Sequence, residues 1–261
     1  MKLKEIYNRI DARYPKKYSD DYVAAYGGHD NSGILIDSGE EIRSAVFSLD
    51  FSAAAVGYAK EIGANLIVTH HPAVFFPIAN FRAEDPLGAR LLVAMREGIG
   101  VISMHLNCDC AKGGVDESLA EAIGATGDIR ICEPIGEVGY GRVYEVAPQP
   151  FSSFCEGLKS RLGTQRAFVY GKGDSPVRKV ASFCGAGADA AALRRAVEYG
   201  ADTLVSADIK HNIICDACES GLKIVQLTHY ASENFGFKKI YQDLCGELGV
   251  PSYYWEDSFL L

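Results

Sequence analysis

No uncharged apolar stretch in this chain of 261 residues is long enough to cross a bilayer, which excludes a helical membrane span. The first residues after Met1 soon turn polar and aromatic, without the apolar core of a secretory leader, so a cytoplasmic protein is expected. Positive charge is in deficit: 26 Lys and Arg against 34 Asp and Glu give a formal net charge of −8. The bulk field of such a chain does not attract a phosphate backbone, and general nucleic-acid binding is not expected. A disulfide framework is also missing. The 8 cysteines are scattered through a mid-sized chain, which reads as free thiols in a reducing compartment. What remains is globular. Hydrophobic residues make up 48% and charged residues 23%, enough for one large core or two smaller ones.

Apolar residues at Leu3, Ile6, Tyr7 and Ile10 have helical spacing, and Pro15 reads as a stop. Residues 27–33 form a turn-rich loop. Strands are expected at 34–36, 44–49, 66–69 and 101–104, and helices at 53–62, 86–97 and 116–123, with Ser52 as a cap for the first of these. Residues 126–134 and 148–151 read as the loosest stretches.

The chain then repeats itself. Residues 52–65 and 189–202 align without a gap, with Ala53, Ala54, Ala55, Ala59, Glu61, Gly63 and Ala64 matching Ala190, Ala191, Ala192, Ala196, Glu198, Gly200 and Ala201. Each copy is preceded and followed by an apolar strand. This points to a duplicated strand–helix–strand unit and an α/β fold with mainly parallel or mixed sheets flanked by helices. The expected division is a first lobe of residues 1–126 plus 222–261, carrying most site residues, and a second of 127–221. In such sheets ligands gather at the carboxyl ends of strands.

Three strand ends carry imidazole and acid. The first is Ile67-Val68-Thr69-His70-His71-Pro72. Adjacent strand residues face opposite ways, so both rings reach one pocket only where the strand stops, and Pro72 supplies that break. The second is His105-x-x-x-Asp109; the third is His229-x-x-x-Glu233, which places both side chains on one face if a helix opens there. Imidazole nitrogens and carboxylate oxygens suit a divalent metal site. Asp109 and Glu233 can bridge two cations, and Glu233 can also act as a general base. His105 and His211 are candidates for proton transfer. Cys108 and Cys110 read as small packing residues.

Two signals compete. Gly185-Ala186-Gly187-Ala188-Asp189-Ala190 matches a loose dinucleotide fingerprint, with Asp208, 21 residues after Gly187, placed like a ribose-binding acid. The bland reading is close packing of helix on sheet. Cys215-x-x-Cys218 falls within an expected helix over 212–220 and, without a second pair, reads as reduced and structural.

With those residues assembled, the chain resembles the GTP cyclohydrolase 1 type 2 homologs, also called the Ngg-interacting-factor-like dinuclear metal-binding family. The resemblance rests on Asp30-Asn31-x-Gly33, on Gly63-Ala64-Asn65 through His70-His71-Pro72, and on His105-x-Asn107-x-Asp109 with Gly113-Gly114-Val115. It continues in Cys184-Gly185-x-Gly187, Asp208-Ile209-Lys210 and His229-Tyr230-Ala231-Ser232-Glu233. It implies two similar α/β lobes with the metal site in the crevice between them, no inserted middle domain, and a ring-like homohexamer. It also implies two divalent ions (Zn, Fe or Mn) held by His70, His71, Asp109, His229 and Glu233, and reassigns the Gly185 loop as a family feature. His29 stands where relatives often carry Trp, Ala207 where Gly is expected, and Asn212 where a second histidine often follows His211.

The expected activity is that of a metal-dependent hydrolase using activated water on a small-molecule substrate, a purine nucleotide or another phosphate- or amide-bearing compound. The alternatives are a non-catalytic metal-binding or regulatory assembly protein and, behind it, a dinucleotide-dependent oxidoreductase on the Gly185 loop.

Overall fold

The two aligned copies become helices for the same local reasons. The Ser52 hydroxyl accepts from the Ala55 amide at 3.0 Å, and the Asp189 carboxylate accepts from the Ala191 and Ala192 amides at 2.8 Å. Each side chain satisfies amides that the first helical turn leaves unpaired. Both helices also end alike. Gly63 and Gly200 take left-handed φ of 70° and 71°. The following amides, of Ala64 and Ala201, then reach back to the carbonyls of Ala59 and Ala196 at 2.8 and 2.9 Å.

The computed structural model describes residues 1–261. In chain order it contains α1 (Leu3–Arg13), α2 (Lys16–Tyr26), β1 (Gly33–Ile36), β2 (Ala45–Ser48), α3 (Ala53–Glu61), β3 (Leu66–Thr69), α4 (Pro86–Arg96), β4 (Gly100–Ser103) and α5 (Leu106–Cys110). Then come α6 (Val115–Ile123), β5 (Ala125–Ile135), β6 (Val138–Pro150), α7 (Phe151–Leu162), β7 (Ala167–Tyr170), β8 (Pro176–Ser182) and α8 (Ala190–Glu198). The chain closes with β9 (Thr203–Ala207), α9 (His211–Glu219), β10 (Lys223–Leu227), α10 (His229–Leu244) and β11 (Ser252–Trp255). No helix is long and apolar enough to cross a membrane.

Two compact units result: Met1–Cys108 with Phe237–Asp257, and Asp109–Gly236 with Ser258–Leu261. The first holds a five-stranded sheet in the order β1-β4-β3-β2-β11, parallel except for β1. β2, β3 and β4 are buried along their whole length, as expected of parallel strands covered on both faces. Val46, Ile67, Val101, Val56, Ala59 and Leu91 pack together as the core. The second unit holds a six-stranded sheet in the order β5-β6-β8-β9-β10-β7, in which β8, β9 and β10 run parallel and the others antiparallel. Each unit thus carries three parallel strands joined by helices, β2–α3–β3–α4–β4 and β8–α8–β9–α9–β10, which is the duplication visible in the sequence.

The division differs from the sequence expectation at two places. β10 is hydrogen-bonded between β9 and β7, which puts residues 223–227 in the second unit rather than the first. α6 packs on β5, β6 and β8, so the segment from Asp109 belongs with the second sheet as well. The stretches read as loosest, 126–134 and 148–151, are also ordered. They lie in β5 and β6 and the start of α7, with β5 and β6 joined across the two-residue turn Gly136-Glu137, Gly136 having φ 73°. Pro15 ends α1 and at once caps α2, a helix that sequence reading passed over.

Candidate metal centre

In the first unit the chemistry stands at the ends of the parallel strands. β3 stops at Thr69, and the amides of His70 and His71 both donate to the Leu49 carbonyl, at 3.2 and 3.0 Å. That turn releases the two rings from strand alternation and lets their centroids lie 5.0 Å apart. His105 follows β4 by two residues, and its ring centroid is 5.3 Å from that of His70. His70, His71 and His105 each offer a ligand nitrogen, and these atoms lie within 4.8 Å of one another. His70 is fully buried.

Each of these rings is held through Nδ1. His70 Nδ1–H donates to the Met104 carbonyl at 2.9 Å, His71 to Asp50 Oδ1 at 2.7 Å, and His105 to Asp30 Oδ1 at 2.7 Å. A ring that donates from Nδ1 presents a lone pair at Nε2, the tautomer required of a ligand. Asp30 is itself fixed by the Ser19 hydroxyl and the Ser32 amide. Burial opposes its charge, but hydrogen bonds from His105, Ser19 and Ser32 prevail and hold the carboxyl below the usual range.

The second unit repeats the device. α10 opens at His229, two residues beyond the end of β10, and one turn later carries Glu233, whose Oε2 is 3.1 Å from His229 Nε2. His229 Nδ1–H donates to Asp208 Oδ2 at 2.7 Å. Asp208 is the chain's one non-glycine residue with positive φ, at 46°. Asp109 and Glu233 are both buried. The Cys184 thiol donates to Asp109 Oδ1 at 3.3 Å. Burial, reinforced by the charges of Asp109, Asp116 and Glu233, pushes this thiol well above its ordinary pKa and keeps it a donor.

The glycine loop after β8 has a structural explanation. A Cβ on Gly185 would collide with Glu233, and one on Gly187 with the Tyr140 hydroxyl. The α8 amides above the loop are capped by Asp189, and Asp208, the candidate ribose acid, is engaged by His229. Cys108 and Cys110 are buried, in keeping with packing roles. His211 is the first residue of α9, exposed, with Nε2 3.6 Å from Cys215 Sγ.

Sequence reasoning missed Asp50 as the partner of His71. It quoted Asp30 only as part of a motif, and it placed Asp208 in a different role. A signal was available. Asp50 follows β2 by two residues just as His71 follows β3, so parallel pairing in register sets acid beside imidazole.

Comparison with known proteins accords with this fold. The family model described as Duf34/NIF3 (NGG1p interacting factor 3) matches residues 1–252. A Clostridium perfringens protein named GTP cyclohydrolase 1 type 2 homolog is 30% identical over 237 residues, 89% of this chain and 87% of its own length. A Methanocaldococcus jannaschii protein of the same name is 30% identical over 252 residues, 96% of this chain and 97% of its own. A solved Bacillus cereus protein related to NIF3 superposes with a TM-score of 0.84 at 21% identity, covering 97% of this chain and 96% of that one, a likeness of fold. Reduced HcgD from Methanocaldococcus jannaschii gives a TM-score of 0.80 at 28% identity, with 97% of each chain covered.

Proposed function

The chain belongs to the Duf34/NIF3 family, and from that premise we propose that it is a dinuclear divalent-metal hydrolase acting on a small phosphate- or amide-bearing substrate, a purine nucleotide first among them. The observation that carries the reading is the uniform anchoring of imidazoles. His70, His71, His105 and His229 all donate from Nδ1 to an oxygen, three of them to a carboxylate. A packing histidine needs no such tautomer, whereas a ligating one is held in this way.

The proposed ligands are His70, His71, Asp109, His229 and Glu233, two carboxylates and three neutral rings. This hard-to-borderline donor set fits zinc, iron or manganese. Divalent ions bound there supply Lewis acidity and lower the pKa of water. The chain's own residues do the rest. Asp109 and Glu233 bring two negative charges to offset those of the cations. Glu233, at the first turn of α10, is the group proposed to take a proton from the attacking water. His105, fixed by Asp30 through Nδ1, is proposed to accept that proton from Glu233 at Nε2 and pass it to the leaving group. His211, the other candidate for proton transfer, is given no role in this scheme; its Nε2 lies 3.6 Å from Cys215 Sγ. The curated relatives' name includes GTP cyclohydrolase 1 type 2 homolog, which is why guanosine nucleotides lead the list of substrates. A homohexameric assembly is proposed with it.

The test is turnover by protein loaded in turn with Mn, Zn, Fe and Mg, against a panel of nucleotides, phosphoesters and amides. Metal-dependent product that disappears in Glu233→Ala is the expected result. Full metal loading without product from any compound would overturn the hydrolase reading in favour of metal storage or regulation.

A further inference from the structure

The loop after β3 carries aromatic rings that the proposed reaction does not use. Residues 72–78 follow His71, and the turn-rich loop of residues 27–33 is tied to them. His29 Nε2–H donates to the Phe75 carbonyl at 2.8 Å, and the Asn31 side-chain amide to the Val74 carbonyl at 2.6 Å. Held in this way, the His29 ring stacks on Phe76, with centroids 5.1 Å apart and planes 15° from parallel. Phe75 stands edge-on to both, 5.4 Å from His29 and 4.8 Å from Phe76. On its other side Phe75 meets His105, again edge-on, at 5.7 Å. A ladder of rings thus leads from the surface of the first unit to His105.

The outer pair is open to solvent: Phe76 is 63% exposed, and His29 is exposed as well. Both are nevertheless fixed, His29 by its hydrogen bond and Phe76 between His29 and Phe75. A ligand would meet rings already oriented, with little ordering left to lose. A flat, exposed stack recognises planar heteroaromatic rings, since every nucleobase presents a π-face whatever its hydrogen-bonding edge. It offers nothing comparable to a sugar, a phosphate or an aliphatic amide. Asp30, between His29 and Asn31 in sequence, holds His105 Nδ1 at 2.7 Å, so one short loop sets both the stack and the proton-transfer ring. The ladder steps of 4.8 and 5.7 Å make a span that a nucleotide bridges between base and phosphate.

We propose that His29 and Phe76, backed by Phe75, form a stacking platform for the base of a nucleotide substrate. These rings then determine specificity, selecting nucleobase-bearing compounds over other phosphoesters and amides. The proposal rests on the hydrolase reading for the part played by His105, while recognition of the base belongs to the first unit alone. Because stacking reads the π-face, the platform separates nucleotides from non-aromatic compounds and discriminates only weakly among bases. Phe75 is a positioning residue, acting through the two rings that it holds.

The experiment measures binding by calorimetry on the full chain, purified without chelator. The probes are AMP, GMP, CMP and UMP, beside ribose 5-phosphate, which carries the same sugar and phosphate without a base. At least one nucleotide is expected to bind about fivefold or more tighter than ribose 5-phosphate. Phe76→Ala and His29→Ala should each remove about fivefold or more of that nucleotide affinity and leave ribose 5-phosphate binding unchanged. Phe76→Trp should keep the affinity, and its added indole fluorescence should fall with the nucleotide but not with ribose 5-phosphate. This variant keeps the test sound if alanine loosens the loop. Nucleotides that bind no tighter than ribose 5-phosphate would overturn the proposal, as would unchanged nucleotide affinity in Phe76→Ala. Equal loss of both ligands in the alanine variants, with no fluorescence response in Phe76→Trp, would overturn it as well. Turnover is scored separately. Platform binding without product from any nucleotide would remove the hydrolase reading alone, whereas hydrolysis of phosphoesters with no preference for a base would remove the platform alone.

Discussion

At the scale of residues, the site is organised by carboxylates that need touch no metal. Asp50 and Asp208 each accept a hydrogen bond from one imidazole Nδ1–H and thereby fix which ring nitrogen faces outward. Removing such a partner typically lowers metal affinity about 10- to 100-fold. Asp50→Asn and Asp208→Asn are expected to show losses of that size in competition titrations with a chromogenic chelator; unchanged affinity would mean that the rings are set by packing alone. A buried acid has a different task. Asp116 is fully buried, 3.0 Å from Arg142 Nη1, and accepts the Cys184 amide at 3.0 Å where β8 gives way to the glycine loop. Burial pushes its carboxyl up to about 6, against the opposing pull of Arg142 and the Cys184 amide. The folded state thus keeps this proton to higher pH than the unfolded chain does, and the group lowers stability as pH rises from about 4 through 6. Arg142→Met leaves the charge unpaired at neutral pH and should cost about 3–5 kcal/mol. The loss should be smaller at pH 5, where the acid is neutral; urea unfolding at the two pH values measures this. These partners were hard to read in the sequence because they lie 21 to 75 residues from the rings they hold. The histidines were legible because each directly follows an apolar run.

At the scale of elements, the duplicated unit was legible because its signals are local. A capping side chain, an alanine-rich helix and a glycine exit recur in both copies. Ser52→Ala should cost about 1 kcal/mol, and Asp189→Ala somewhat more because it caps two amides. Denaturant midpoints with unchanged slopes would show the effect to be one of stability. Equal stability of the parent and both variants would contradict the capping account. The antiparallel part of the second sheet was not legible for the opposite reason. β5 is largely exposed and rich in polar residues, so it has no buried face to print an alternating pattern. Its only strong cue is the Gly136-Glu137 turn. The boundary of the units was missed with it, since β10 is placed by pairing with β7 and β9 rather than by anything in its own residues.

At the scale of the whole molecule, the duplication gives each unit imidazoles anchored by acids just past the ends of its parallel strands. The first unit supplies His70 and His71; the second supplies Asp109, His229 and Glu233. Ions bound by these residues would stabilise the fold by mass action, by about 2.7 kcal/mol at a free concentration 100 times the dissociation constant. Treatment with a chelator should therefore lower Tm, and return of the native ion should restore it; an unmoved Tm would contradict metal binding by the folded chain. The most direct test of the central claim is metal content, measured by elemental mass spectrometry on untagged protein purified without chelator, beside His70→Ala/Glu233→Ala. The account predicts about two equivalents per chain at the dinuclear centre, lost in the double variant. Absence of metal from the unsubstituted protein, even after reconstitution with zinc, iron and manganese, would contradict the account.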